Sequence, residues 1–379
     1  MRTVSKTVIG VDFGTQSARA VLVNAENGEI IYSCRKEYPY NSTPVPAIDC
    51  AENLPCATDY EMTLYELLRN VIPEEYRKTV AGICVDATSL TMVLLAEDGR
   101  ALSELDGWSE AAHARVKLWK YHRAQEKADE ALNLARNLQE PFLGRTGGSI
   151  SCEWMLPKLL EVRDEAPEIY SKIDLAMDLC EFLTFRLTGQ LVRSIGSLSY
   201  KCLWAEDLSF PERTFLNGLR AGFYEEYCHF LRGDVRKLGE CAGVLRSELT
   251  KRWGLPEQIP VATGMLDGHT SLATMGAFEP GDAALIVGTS NVCTVQDRKL
   301  QELKDVCGVA QDGMVTGSCG IDTGQSSTGN MLGWFVEHMA GWQIHREAEE
   351  RKISPHQVLA ERIQKPWENK VIAVDWWSG

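Results

Sequence analysis

In "VIGVDFGTQS" (Val8–Ser17) an apolar run ends on a carboxylate followed by a Gly-Thr step. Asp12 is in a good position there to hold a hydrated divalent cation. Gly14 and Thr15 suit a phosphate, since glycine lets the backbone approach closely and hydroxyl and successive N–H groups donate to phosphate oxygens. A second stretch, "ALIVGTSNVCT" (Ala284–Thr294), repeats the pattern, with Gly288, Thr289 and Ser290 at the turn. One Gly-Thr turn carries almost no information. Two in matching strand contexts suggest a duplicated α/β domain whose hairpin turns face each other across a nucleotide cleft. Asp267 in "GMLDGHT" lies among glycines, where a carboxylate can face a cleft with little side-chain obstruction. Each residue also has a plainer reading: a turn carboxylate bonding its own backbone, or a simple turn glycine. His269 could tune Asp267 or serve as a hydrogen-bonded structural histidine.

The surrounding elements must bring these residues together. Thr7–Asp12 and Ala18–Asn24 read as strands, and Asn27-Gly28 as a hairpin turn into "EIIYS". Residues 40–55 read as loop. Asp59 is the expected cap of a helix with Leu64, Leu67, Leu68 and Val71 on one face, closed by Pro73. Ala81–Asp86 and Thr91–Gly99 are strand-like again. Helical spacing covers Ser109–Gln139 and then "EWMLPKLLEVRDEAPEIY", which prolines are expected to interrupt. Trp253–Gly264, "WGLPEQIPVATG", reads as an interdomain crossing. It leads to a second strand-rich region, so the expected domains are 1–256 and 257–379.

The 379 residues are long enough for two domains of roughly 100–200 residues each. With 44% hydrophobic and 24% charged residues the chain can bury a large core. Its net charge of −14 argues against nonspecific binding to nucleic acid or an anionic membrane surface, but not against a nucleotide held by local N–H groups and a cation. Twelve cysteines are scattered without metal spacing. No secretory signal is evident, and no apolar run reaches the ~18 residues of a membrane helix. The expectation is a reducing, cytoplasmic setting.

Several stretches together resemble the FGGY family of carbohydrate kinases, its ribulokinases most. They include "IGVDFGTQSARAV", "VDATSLTMVLL", "HARVKLWKYHRAQ", "GGSISCEWMLPKLLEV", "LTFRLTG", "SYKCLW", "GMLDGHT", "GTSNVC", "GIDTGQSSTGNMLGWFVEH" and "VDWWSG". The resemblance implies an α/β, two-domain actin-like ATPase (ribonuclease H-like) fold with sugar and ATP between the domains. It implies transfer of the γ-phosphoryl of ATP to L-ribulose, with Asp267 as base and Mg2+ at Asp12. The phosphates would lie against Gly14, Thr15, Gly288, Thr289 and Ser290, and the sugar against Lys201, Asp322 and the backbone near Ala87. Without the resemblance, Lys201 could equally be a surface lysine laying its stem over apolar neighbours. Two positions depart from the family pattern. Asp322 stands where Glu is common, and Gln16 where an acid is frequent, so sugar preference follows less directly than reaction class.

The stretch after the second Gly-Thr turn is short for a complete actin-like domain. The expectation is therefore a C-terminally truncated kinase, its sugar domain intact, its second domain incomplete and its ATP binding weak or absent. A sugar-binding fragment without kinase activity, a kinase for another pentulose or pentitol, and a chaperone or filament protein of the same fold are the alternatives. A homo-oligomer is compatible with the sequence.

Overall fold

The computed structural model describes residues 6–38, 54–288, 291–325 and 328–362. Most of the expected loop at 40–55, the turn residues Thr289 and Ser290, and the "VDWWSG" end lie outside them.

The first sheet begins as a meander of β1 (Thr7–Phe13), β2 (Ser17–Asn24) and β3 (Ile30–Glu37). Alternation places Ile9, Val11 and Phe13 of β1 in the core, as a strand with period two requires. Gly28, at φ +74°, makes the turn between β2 and β3 in the left-handed region that glycine tolerates. The helix Ala57–Val71 then lays Leu64, Leu67, Leu68 and Val71 into the same core. Its N-cap is Cys56, one turn earlier than the expected Asp59. Asp59 still serves the helix end from the third position, where its carboxylate accepts the Cys56 N–H at 3.1 Å.

From that helix the chain returns as β4 (Val80–Ala87), parallel to β1. Next, β5 (Met92–Leu95) leaves the sheet to pair with β6 (Leu175–Asp178), and β7 (Val192–Ser194) pairs with β8 (Asp234–Arg236). The first sheet is completed by β9 (Cys241–Val244), β10 (Pro260–Ala262) and β11 (Met265–Leu266). Its order is β3-β2-β1-β4-β10-β9, with β11 also parallel to β4. The segment read as a crossing, Trp253–Gly264, therefore contributes the strand β10 to the first sheet, just beyond the division at 256/257. A second, antiparallel sheet has the order β12 (Ala283–Val287), β13 (Asn291–Asp297), β15 (Cys319–Gln325), β14 (Gly308–Gln311).

Two expectations about helices change. Of 109–139 only Gln125–Leu138 is α-helical. The part before it runs mostly as turns and extended chain, and Lys117 exchanges both backbone bonds with Met92 of β5 (2.9 and 3.1 Å). Val116 and Leu118 are thereby buried, which outweighs helical propensity. The expected interruption by prolines holds at one position and not at the other: the helix Met155–Glu165 ends at Ala166, directly before Pro167, whereas Pro157 interrupts nothing. Pro157 sits in the first turn of Met155–Glu165 and Pro167 opens Pro167–Tyr170, where no intrahelical N–H bond is lost. Among the described residues no helix is long and apolar enough to cross a membrane, and the described cysteines are free.

Candidate active site

The C-terminal ends of β1, β4 and β11 lie side by side. In register, Asp12 is opposite Asp86, and Asp86 is opposite Met265 on its other side. Asp267 begins the helix Asp267–Met275 immediately after β11. Three carboxylates thus collect at the C-terminal edge of the sheet's parallel strands, the edge where open α/β folds bind ligands. Asp12 is the most open of them, its side chain 38% exposed and bonded to the more exposed Arg19 guanidinium at 3.0 Å. Such a pair holds little energy and yields easily to a ligand. Asp86 Oδ1 is buried with no hydrogen-bond partner. Burial, then the charges of Asp12 and Asp267, push Asp86 up to about 8. Burial likewise raises Asp267 to about 6. The Gly268 N–H opposes that rise, as do Lys201 and the Ser89 N–H, while Asp12 adds to it.

The β1–β2 hairpin closes with the Gly14 N–H donating to Ser17 O at 3.2 Å, and Tyr38 Oη donates to Gly14 O at 2.9 Å. A Cβ on Gly14 would stand 3.3 Å from Ser17 O, so the turn is tight for any other residue. Trp119 Nε1 donates to Thr15 Oγ1 at 3.2 Å, steadying that hydroxyl at the turn. The carbonyl of Gly288 accepts the Gly329 N–H at 3.0 Å, which sets the second hairpin against the start of the helix Gly329–Met339.

Lys201 ends the helix Ile195–Lys201 and is only 5% exposed, so it is not a surface lysine. Its ammonium lies 3.4 Å from Asp322 Oδ2 on β15, and His269 Nε2 lies 3.7 Å from the same oxygen. Burial alone would raise Asp322, but Lys201 and His269 outweigh it and hold the carboxyl below its usual range. Conversely, burial would lower Lys201, and Asp322 outweighs that. His269 Nδ1 has no partner, and its ring stands edge-on to Tyr200 at 4.9 Å. Ala87 is fully buried at the end of β4, and Thr88 N beside it donates to Phe13 O at 2.9 Å.

Among the described residues no three His, Cys, Asp or Glu side chains close tightly around a metal-sized point. Asp12 with the unpartnered oxygen of Asp86 nevertheless fits Mg2+, which keeps several waters and takes one or two carboxylates.

Residues 7–275 match the N-terminal domain of the FGGY family of carbohydrate kinases. The chain belongs to that family. It is 33% identical over 385 residues to a ribulokinase of Halalkalibacterium halodurans, covering 99% of this chain and 68% of that protein. To a ribulokinase of Mycolicibacterium smegmatis it is 35% identical over 386 residues, with the same coverage. Among solved structures, a xylulose kinase from Rhodospirillum rubrum superposes with a TM-score of 0.69 at 20% identity, over 94% of this chain and 66% of that one. A Plasmodium falciparum glycerol kinase with ADP gives 0.68 at 14% identity, over 89% and 64%. The two-domain, actin-like fold is shared with these kinases. The chain spans about two thirds of the length of these relatives.

Within this family frame the structure draws Asp12 and Asp267 to one edge, and joins Lys201 to Asp322 from different elements. Sequence reasoning did not single out Asp86. Its signal was present: "IGVDFG" and "GICVDAT" are both apolar runs ending in Val-Asp, and parallel pairing in register brings their carboxylates together.

Proposed function

We propose that this chain phosphorylates the terminal hydroxyl of a ketopentose, L-ribulose, with ATP and Mg2+, Asp267 being the base. The observation that carries the reading is the setting of Asp267. It is a half-buried carboxylate raised to about 6, within electrostatic reach of both Asp12 and Lys201. A base near neutrality that still ionises at physiological pH suits removal of a hydroxyl proton. Asp267 takes that proton as the sugar oxygen bonds to the γ-phosphorus and the bond to the ADP oxygen breaks. Lys201 donates to sugar oxygens, Asp322 accepts from sugar hydroxyls, and the backbone at Ala87 closes the other side. Gly14, Thr15 and Gly288 line the phosphates. Asp12, with Asp86 beside it, faces the cation, which when bound offsets charge on the transferring group.

L-Ribulose is favoured over other pentuloses because the relatives that align over 99% of the chain are ribulokinases. The test is a coupled assay of ADP release with L-ribulose, D-ribulose, xylulose and ribitol, beside calorimetry of each sugar alone. L-Ribulose should give the highest kcat/KM, and Asp267→Asn should bind it while losing turnover by about 10²–10⁴-fold. Full turnover in Asp267→Asn would remove the base assignment. Sugar binding without ADP release in the parent chain would reassign it to sugar binding.

A further inference from the structure

Leu90 holds a left-handed backbone, φ +62°, which a bulky residue rarely adopts without outside support. The support is a pair of fully buried charged side chains behind the site. Asp178, ending β6, accepts the Leu90 N–H at 3.0 Å. Lys158, on the helix Met155–Glu165, donates to Leu90 O at 2.6 Å. The same ammonium donates to Leu118 O at 2.9 Å and to Lys117 O at 3.4 Å. Among the described residues, every acceptor of Lys158 thus belongs to one of two segments that lead into the site. One runs from Ala87 through Ser89, whose N–H favours the Asp267 carboxylate. The other leads to Trp119 and through it to Thr15.

Filling a core does not require this arrangement. Replacing buried ions by apolar groups of similar size is often neutral or stabilising, so two such groups aimed at one strained turn call for another account. We propose that Lys158 and Asp178 are positioning residues which brace the Ala87–Leu90 turn, and so fix the sugar-facing backbone at Ala87 and the Ser89 amide beside Asp267. This rests on the sugar reading given above for Ala87.

The test combines sugar binding with hydrogen exchange. Asp178→Leu and Lys158→Met should weaken L-ribulose binding by calorimetry at least about tenfold, with a corresponding rise in KM. Asp178→Asn keeps an acceptor for the Leu90 N–H and should recover most of the affinity. Leu160→Ala, in the same core but away from the turn, should lose comparable stability without losing sugar affinity. In exchange experiments the amide of Leu90 should be among the slow ones in the parent and speed up selectively in Asp178→Leu. The brace is overturned if Leu90 exchanges in the parent as fast as an exposed loop amide, a reading that needs no variant to fold. It is also overturned if Asp178→Leu binds sugar no more weakly than Leu160→Ala. A parent that binds no pentulose but protects Leu90 overturns the sugar reading alone and leaves the brace standing.

Discussion

Asp12, Asp86 and Asp267 share one sheet edge, and differences in burial give them different work. As a base, Asp267 must be ionised, and its value of about 6 sets where that is lost. Turnover at saturating sugar should therefore fall as pH drops through about 6, and a limb centred near the ordinary carboxylate value would contradict the assignment. For Asp86 the consequence is in stability. Its folded value of about 8 lies above the ordinary 3.8, so the folded chain holds this proton more tightly than the unfolded one. The Asp86 contribution to stability is then full below the lower value, declines as pH rises between the two, and levels off above the higher. Asp86→Asn cannot ionise. In urea unfolding without Mg2+ it should be more stable than the parent above pH 8 by at least about 1 kcal/mol, with the gap closing toward acid. A gap that is constant with pH would mean that Asp86 ionises freely.

The elements that carry these residues depend on polar groups the core has sealed in. Arg193 on β7 is fully buried and bonds Glu181 at 2.8 Å, with its other N–H groups on the carbonyls of Ala176, Phe230 and Arg232. Glu181 also accepts the N–H groups of Asp178 and Ser194. Glu181→Ala would leave a buried guanidinium short of its counter-charge, at a cost of about 3–5 kcal/mol read as a lowered unfolding midpoint. An unchanged midpoint would show water or another carboxylate reaching Arg193. Such networks mark the limit of what was legible in the sequence. The strands β1, β2 and β4 follow from alternation and turn residues, and Asp12 and Asp267 from stretches that resemble the family's motifs. Asp86 gains its meaning from register with a strand some seventy residues away, and that register is set by tertiary pairing. Residues 109–124 have helix-forming composition, yet pairing with β5 holds part of them extended. Asp59 was recognisable as a capping residue, but whether it caps from the first or the third position depends on where the chain enters the helix.

At the scale of the whole molecule, one side chain ties the helix Ile195–Lys201 to the second sheet. Tyr200 leaves the helix Ile195–Lys201 and enters a socket on the second sheet, where its Oη donates to Gly320 O at 2.8 Å. Glycine lines the socket because nothing larger fits. A Cβ on Gly308, Gly313 or Gly320 would stand 2.6, 2.6 or 2.5 Å from the tyrosine. Ala310, Met314, Ala284 and Leu272 complete a small core around the ring. The next residue in the chain is Lys201, so the seat of Tyr200 also fixes how Lys201 meets Asp322. Gly313→Ala should wedge the ring outward at an overpacking cost of about 1–3 kcal/mol. It should also weaken sugar binding, because Lys201 is carried away from Asp322. Gly333→Ala, on an open face of the helix Gly329–Met339, has nothing within 4 Å of the added methyl and is the control: it should gain about 0.5–1 kcal/mol of stability from helix propensity and leave sugar affinity unchanged. Calorimetry with L-ribulose on both variants decides it. If Gly313→Ala loses stability but keeps the parent's sugar affinity, the socket holds the helix to the second sheet without governing the Lys201–Asp322 contact.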